Sequence, residues 1–130
     1  MTLRYTLLVT QPAYGRQGGT TALRFANSVY EAGHQLETVF FYLDGVSHAN
    51  YLLSPASDEI NLYARWCALA QRSGCSLLVC VSAAERRGVI GKAHASLNGW
   101  PHYNLQSPFI IAGLAELSIA MLQSDRVVQL

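Results

Sequence analysis

The stretch Ser76-Leu77-Leu78-Val79-Cys80-Val81-Ser82-Ala83-Ala84-Glu85 decides the fold. Its first six residues form a continuous apolar run rather than an alternating one. Runs of that kind suit strands buried on both faces of a parallel sheet. Ser82 followed three residues later by Glu85 has the form of a capping box, so a short helix is expected to open there and to end near Gly88. A buried strand feeding directly into a capped helix is half of a βαβ unit.

The same alternation continues on both sides. Upstream, Leu62, Tyr63, Trp66, Leu69 and Ala70 repeat at helical spacing, with Arg72 in the last turn and Gly74 as the stop. Ser57 reads as the N-cap of that helix, with Asp58 and Glu59 complementing its dipole. Thr38 to Leu43 reads as a strand broken by Asp44-Gly45, and Tyr5 to Thr10 as another, ended by Gln11-Pro12. Between them, Ala22, Phe25, Ala26, Val29 and Tyr30 share one helical face, and Gly33 follows as the residue after the cap. Downstream, residues 89 to 108 are the least regular part. Twenty structureless residues do not suit a compact domain, so a short helix is expected near Lys92 to Leu97, within a lid or an interface segment. Phe109 to Ile111 reads as a strand, Leu114 to Met121 as a helix and Arg126 to Leu130 as a final strand. The expectation is a single α/β domain over residues 1–130: an open, mostly parallel five-stranded sheet with helices on both faces and right-handed crossovers.

In such folds, sites lie outside the carboxyl ends of the strands. That rule gathers the loop after Pro12, the loop after Asp44 and the turn holding Cys80. Cys80 stands out there. Free amide N–H groups at a helix start favour a thiolate, and Arg86 and Arg87 add positive potential if they point back. An inert cysteine buried at a strand end is the alternative reading. Cys67 lies beside an apolar stripe and reads as packing. Cys75 lies at the opposite end of the strand, about 17 Å away in extended chain, and reads as structural.

Composition excludes several function classes. The chain of 130 residues is 51% hydrophobic and 13% charged, against about 25% charged in average domains. So little charge implies surface buried against partner subunits. With a net charge of +1 and Lys92 as its one lysine, the chain has no basic stripe for nucleic acid, so any RNA connection is indirect. Met1 to Thr10 reads as a strand rather than an export signal, and no apolar run approaches the roughly 20 residues of a membrane span. Three cysteines without C-x-x-C argue against a disulfide framework or a zinc site and for a reduced cytoplasmic protein. His34, His48, His94 and His102 show no metal-ligand spacing, and each reads as a surface or loop histidine. Gly15 to Gly19 forms a tight turn more readily than a phosphate cradle, since no Walker lysine follows. Neither a metal nor an organic cofactor is expected.

The order of these pieces resembles the DsrE/TusD family of sulfur-relay sulfurtransferases, and its TusD branch most. The matching residues are Pro12-Ala13-Tyr14-Gly15, Val39-Phe40-Phe41-Tyr42 with Asp44-Gly45-Val46, Ser54-Pro55-Ala56-Ser57-Asp58-Glu59, Val79-Cys80-Val81-Ser82-Ala83-Ala84 running into Arg86-Arg87-Gly88-Val89, Asn104-Leu105, Gly113-Leu114, and Ser124 to Gln129. The cysteine ahead of the double arginine and glycine is the most specific of these. The resemblance implies that Cys80 accepts sulfur as a persulfide, with Ser82, Arg86 and Arg87 as stabilising candidates. It implies TusB-like and TusC-like subunits in a heterohexamer, a TusA-like donor, a TusE-like acceptor, and 2-thiolation of the tRNA wobble uridine by a later enzyme. A DsrE-type role in dissimilatory sulfur oxidation shares the motif. A scaffold subunit with a passive cysteine, and a nucleotide-binding module using the Gly15 to Gly19 loop, are readings of other classes.

Overall fold

A computed structural model describes residues 1–130. In chain order the elements are β1 (Arg4–Val9), α1 (Gly18–Glu31), β2 (Gln35–Phe41), a 3-10 turn (Leu43–Ala49), α2 (Leu62–Ser73), β3 (Ser76–Cys80), α3 (Val81–Arg86), α4 (Lys92–Leu97), β4 (Phe109–Ala112), α5 (Leu114–Gln123) and β5 (Arg126–Gln129). The strands form one sheet in the order β4-β3-β2-β1-β5, and every pairing is parallel.

That order sets the layers. From β1 to β4 each strand is added on the same side of its predecessor, so right-handed crossovers carry α1 and α2 across one face. The chain then returns past β1 to lay down β5, and the reversed step puts α5 on the other face. Contacts agree. Tyr5 meets Phe25 of α1 edge-on, and Phe41 meets Trp66 of α2 edge-on. On the opposite face, Thr6 Oγ1 lies 2.6 Å from Ser124 Oγ, just beyond α5.

The two faces are buried unequally. Leu7, Val9, Val39, Phe41, Leu77 and Val79 alternate toward α1 and α2 and are all fully buried. Under α5, Thr6 and Phe40 are buried, but Leu8 and Leu78 are only half-buried. One helix, roughly 10 Å across, cannot cover five strands spaced about 4.8 Å apart. Of the ten residues of α5 only Leu117 is buried, while Leu114, Ile119, Met121 and Leu122 are exposed.

Three helix starts differ from the sequence expectation. The second helix is capped by Asn61, whose side chain accepts from Ala64 N at 3.0 Å, so Ser57, Asp58 and Glu59 lie in the preceding loop. Tyr14 explains the shift: its hydroxyl donates to Ile60 O and accepts from Leu62 N, fixing where the helix begins. After β3 the helix opens two residues earlier than the expected box, with Cys80 rather than Ser82 at the cap position. Glu85 turns instead toward His94, Oε2 to Nδ1 3.2 Å. Gly18 and Gly19 belong to the first turn of α1 rather than to a loop. The short helix expected within residues 89 to 108 is present as α4.

Candidate functional site

Cys80 is the last residue of β3 and the residue from which α3 starts. It pairs in register with Ala112, the last residue of β4. Alternation turns its side chain toward the face carrying α5, the face of Leu78. There it is packed almost completely, with 4% of its surface exposed. No surface cleft is lined by it.

The neighbouring strand end is held by close backbone contacts. Tyr42 N donates to Val9 O, and Gly45 N donates to Tyr42 O, so the chain doubles back directly after β2. Between them Leu43 has φ +52°, the one non-glycine residue with a positive value. A leucine in that region is strained, and such strain persists only where surrounding contacts hold it. Gly45 packs so closely that a Cβ there would lie 2.0 Å from Val9 O. Asp44, exposed between these two, accepts from Arg87 Nε at 2.9 Å, and Arg87 Nη1 donates to Ala83 O at 3.2 Å. One ion pair therefore ties the turn after β2 to the helix after β3.

The far end of the same turn is anchored in the core. The sequence reading placed His48 in a loop, solvated by default. It is fully buried instead. Its Nδ1 accepts from Trp66 Nε1 at 2.9 Å, and Nε2 lies 3.1 Å from Gln11 O, which makes Nε2 the protonated nitrogen. Burial outweighs the bond to Gln11 and lowers its pKa to about 4, so it is neutral at pH 7. A Cβ on Gly19 would strike His48 and Pro12 O, and one on Gly18 would strike Gln11. These glycines serve close packing against the chain itself rather than a bound phosphate.

The remaining sequence candidates separate. Ser82 falls in the first turn of α3 and Arg86 in its last turn, where Arg86 has no ion-pair partner. Only Arg87 reaches the strand-end turn. Cys67 and Cys75 line one shallow hollow with Pro108 near the amino end of β3, and burial raises the pKa of both. His34 accepts from Leu3 N, His94 sits edge-on to Trp100, and His102 is exposed. Residues 89 to 108 are stitched at their base by Asn104. Its Oδ1 accepts from Ile90 N at 2.7 Å and its Nδ2 donates to Gly88 O at 3.0 Å. Sequence reasoning missed Asp44, His48 and Asn104 as structural partners. Each acts across 14 or more positions, a separation no local pattern reports.

The family model described as DsrE/DsrF-like matches residues 3–130. A protein of Serratia proteamaculans (strain 568) named "Sulfurtransferase TusD" is 49% identical over 127 residues, covering 98% of each chain. One of the same name from Cronobacter sakazakii (strain ATCC BAA-894) is 48% identical over 127 residues, covering 98% of this chain and 99% of the other. The crystal structure of the ychN protein from E. coli superposes with a TM-score of 0.78 over the whole of both chains, at 18% identity. That likeness concerns the fold alone.

Proposed function

The chain belongs to the DsrE/DsrF-like family and is a sulfurtransferase of a sulfur relay, and we propose that Cys80 carries the sulfur as a persulfide. One observation supports this reading above the others. Of three thiols, only Cys80 stands at the carboxyl edge of the sheet and at the start of a helix. The other two lie near the opposite end of β3, with burial disfavouring their thiolates.

The transfer balances without an added oxidant. A donor persulfide presents its outer sulfur, and the Cys80 thiolate attacks it. A new S–S bond forms at Cys80 as the donor's S–S bond breaks. The bonding pair leaves on the donor sulfur, which departs as a thiolate. An acceptor thiolate later attacks the outer sulfur of the Cys80 persulfide, and Cys80 leaves as a thiolate. The persulfide anion is stabilised by α3 amides, by the Ser82 hydroxyl and by the arginines, Arg87 first because it reaches the strand-end turn and Arg86 as a more distant charge.

In this reading the donor is TusA-like and the acceptor TusE-like. The neighbours are TusB-like and TusC-like subunits in a heterohexamer, and the product is the 2-thiolated wobble uridine of tRNA, made in the cytoplasm by a later enzyme. Near-half identity to proteins named TusD over almost the whole chain favours this branch over dissimilatory sulfur oxidation. The opposed reading, a scaffold subunit with an inert cysteine, has the burial of Cys80 on its side.

Intact-protein mass spectrometry separates them. The assembled complex is incubated with a persulfidated TusA-like donor, using wild type and Cys80→Ser. A gain of one sulfur atom, removed by reductant and absent from the variant, supports the relay thiol. An equal gain on Cys80→Ser, or none on wild type, favours the scaffold.

A further inference from the structure

Cys80 has a neighbour on each side along the carboxyl edge of the α5 face. On β4 it pairs in register with Ala112. On the other side the ladder of β2 and β3 runs to Phe41 and Val79, and the next residues are Tyr42 and Cys80. Both keep extended backbone, with φ −135° and ψ 159° at Tyr42 and φ −60° and ψ 122° at Cys80. Alternation therefore turns both side chains to one face. Phe40 fixes which face: its ring, buried under α5, meets the Tyr42 ring edge-on at 6.5 Å. Tyr42 N donates to Val9 O, which turns the Phe41 carbonyl toward β3, opposite Cys80 N. The tyrosine thus stands beside the cysteine at one strand spacing, about 4.8 Å.

The two neighbours differ in what they offer. Ala112 has no polar side-chain atom. Tyr42 has a hydroxyl, and that hydroxyl is uncommitted. Tyr14 and Tyr30 donate theirs to Ile60 O and Arg72 O. The Tyr42 hydroxyl bonds to no group of the chain, and since no buried side-chain oxygen is left unpaired, it reaches solvent. Phenylalanine would pack against Phe40 equally well. Cys80 is only 4% exposed, so the hydroxyl stands farther from the sheet than Sγ. A delivered sulfur lies about 2 Å beyond Sγ, nearer the level of that hydroxyl.

We infer that Tyr42 is a further catalytic residue: its hydroxyl donates a hydrogen bond to the outer sulfur of the Cys80 persulfide, and not to the bare thiolate. The bond comes from β2, across the sheet, whereas the α3 amides act from the helix start. No proton changes hands, so the transfer described above balances as before. A donor that meets only the loaded form shifts the equilibrium toward sulfur on Cys80 and leaves the empty thiol as it was.

The inference rests on Cys80 as the relay thiol, and two readouts keep the two claims apart. The assembled complex, with Cys67→Ser and Cys75→Ser in this chain, is equilibrated with the TusA-like donor at a fixed ratio of persulfide to thiol. Intact mass gives the loaded fraction of this chain. In the unloaded complex, the rate of alkylation by iodoacetamide reports the bare Cys80 thiolate. Tyr42→Phe is expected to lower the ratio of loaded to unloaded chain about tenfold, the effect of losing a hydrogen bond to an anion, while its alkylation rate stays within about twofold of the parent. A merely structural role would move both readouts together. An unchanged loading ratio in Tyr42→Phe, or a loss matched by an equal change in alkylation, overturns the inference. Tyr42→Leu, which lacks both ring and hydroxyl, should load as Tyr42→Phe does; a far lower ratio would put the effect in the ring and overturn the hydroxyl's role. A parent that gains no sulfur at all would remove Cys80 as the carrier, and the inference with it, whereas a parent that loads beside an equally loaded Tyr42→Phe removes the inference alone.

Discussion

The two ends of β3 carry thiols in opposite settings. At the amino end, Cys75 follows Gly74 and shares a hollow with Cys67, held by apolar packing that raises both pKa values. At the carboxyl end, Cys80 starts a helix, and the turn that follows the neighbouring strand is held by directed polar bonds: Asp44 to Arg87 on the surface and His48 to Trp66 and Gln11 beneath. Apolar burial has no single point of release. A turn held by directed bonds can be tested one bond at a time. The contrast teaches that burial alone does not distinguish an inert cysteine from a working one.

The contrast can be broken most sharply by exchanging the cysteines one at a time. Cys80→Ser should abolish sulfur loading, while Cys75→Ser and Cys67→Ser should leave it within about twofold by mass spectrometry, since neither thiol lies at the carboxyl edge. Equal loss from Cys75→Ser would erase the distinction.

The next effect concerns the backbone of the turn after β2. Gly45→Ala forces a Cβ against Val9 O and is expected to cost about 3 kcal/mol in urea unfolding, at the upper end for overpacking. A change under about 1 kcal/mol would show that the turn is not tightly held.

Acid tests the deep anchor. His48 has a folded pKa of about 4 against 6.5 in the unfolded chain. Between those values the unfolded state binds more protons, so its contribution is complete above pH 6.5 and is lost as pH falls toward 4. The full loss is about 3 kcal/mol. His48→Gln should start less stable and show a flatter pH profile. An unchanged profile would mean that other groups carry the acid sensitivity.

The smallest effect lies at the amino end. Gly74 has φ +75° with open space around its Cβ position. Gly74→Ala should therefore cost only about 1 kcal/mol, from backbone conformation alone. A cost as large as that of Gly45→Ala would make the two ends equivalent.

Much of this architecture was legible in the residues. The apolar run at Leu77 to Val81 reads as a buried parallel strand, and the position of Cys80 follows from it. The helix at Lys92 to Leu97 follows from the improbability of a long bare loop. What stayed hidden depends on partners distant in the chain. Ser57 has every local mark of a cap, but the Tyr14 hydroxyl, 48 positions from Leu62, moves the helix start to Asn61. His48 looks like any loop histidine until Trp66 and Gln11 close around it. Arg87 looks like a free charge until Asp44, 43 positions away, takes it. Periodicity reports which face a residue occupies, whereas side-chain bonding between remote segments leaves no period.

Helix α5 bears on how the protein must be produced. Its exposed leucines, isoleucine and methionine, with Leu122 86% open to water, form a sticky strip on any copy synthesised in isolation. A newly made chain without company therefore presents apolar surface that favours association, and its soluble yield is expected to rise when that strip is shielded. Soluble yield from expression alone, compared with a variant carrying Leu122→Glu and Ile119→Lys, measures how strongly the strip acts: a marked gain is expected, and equal yields would show that it is harmless.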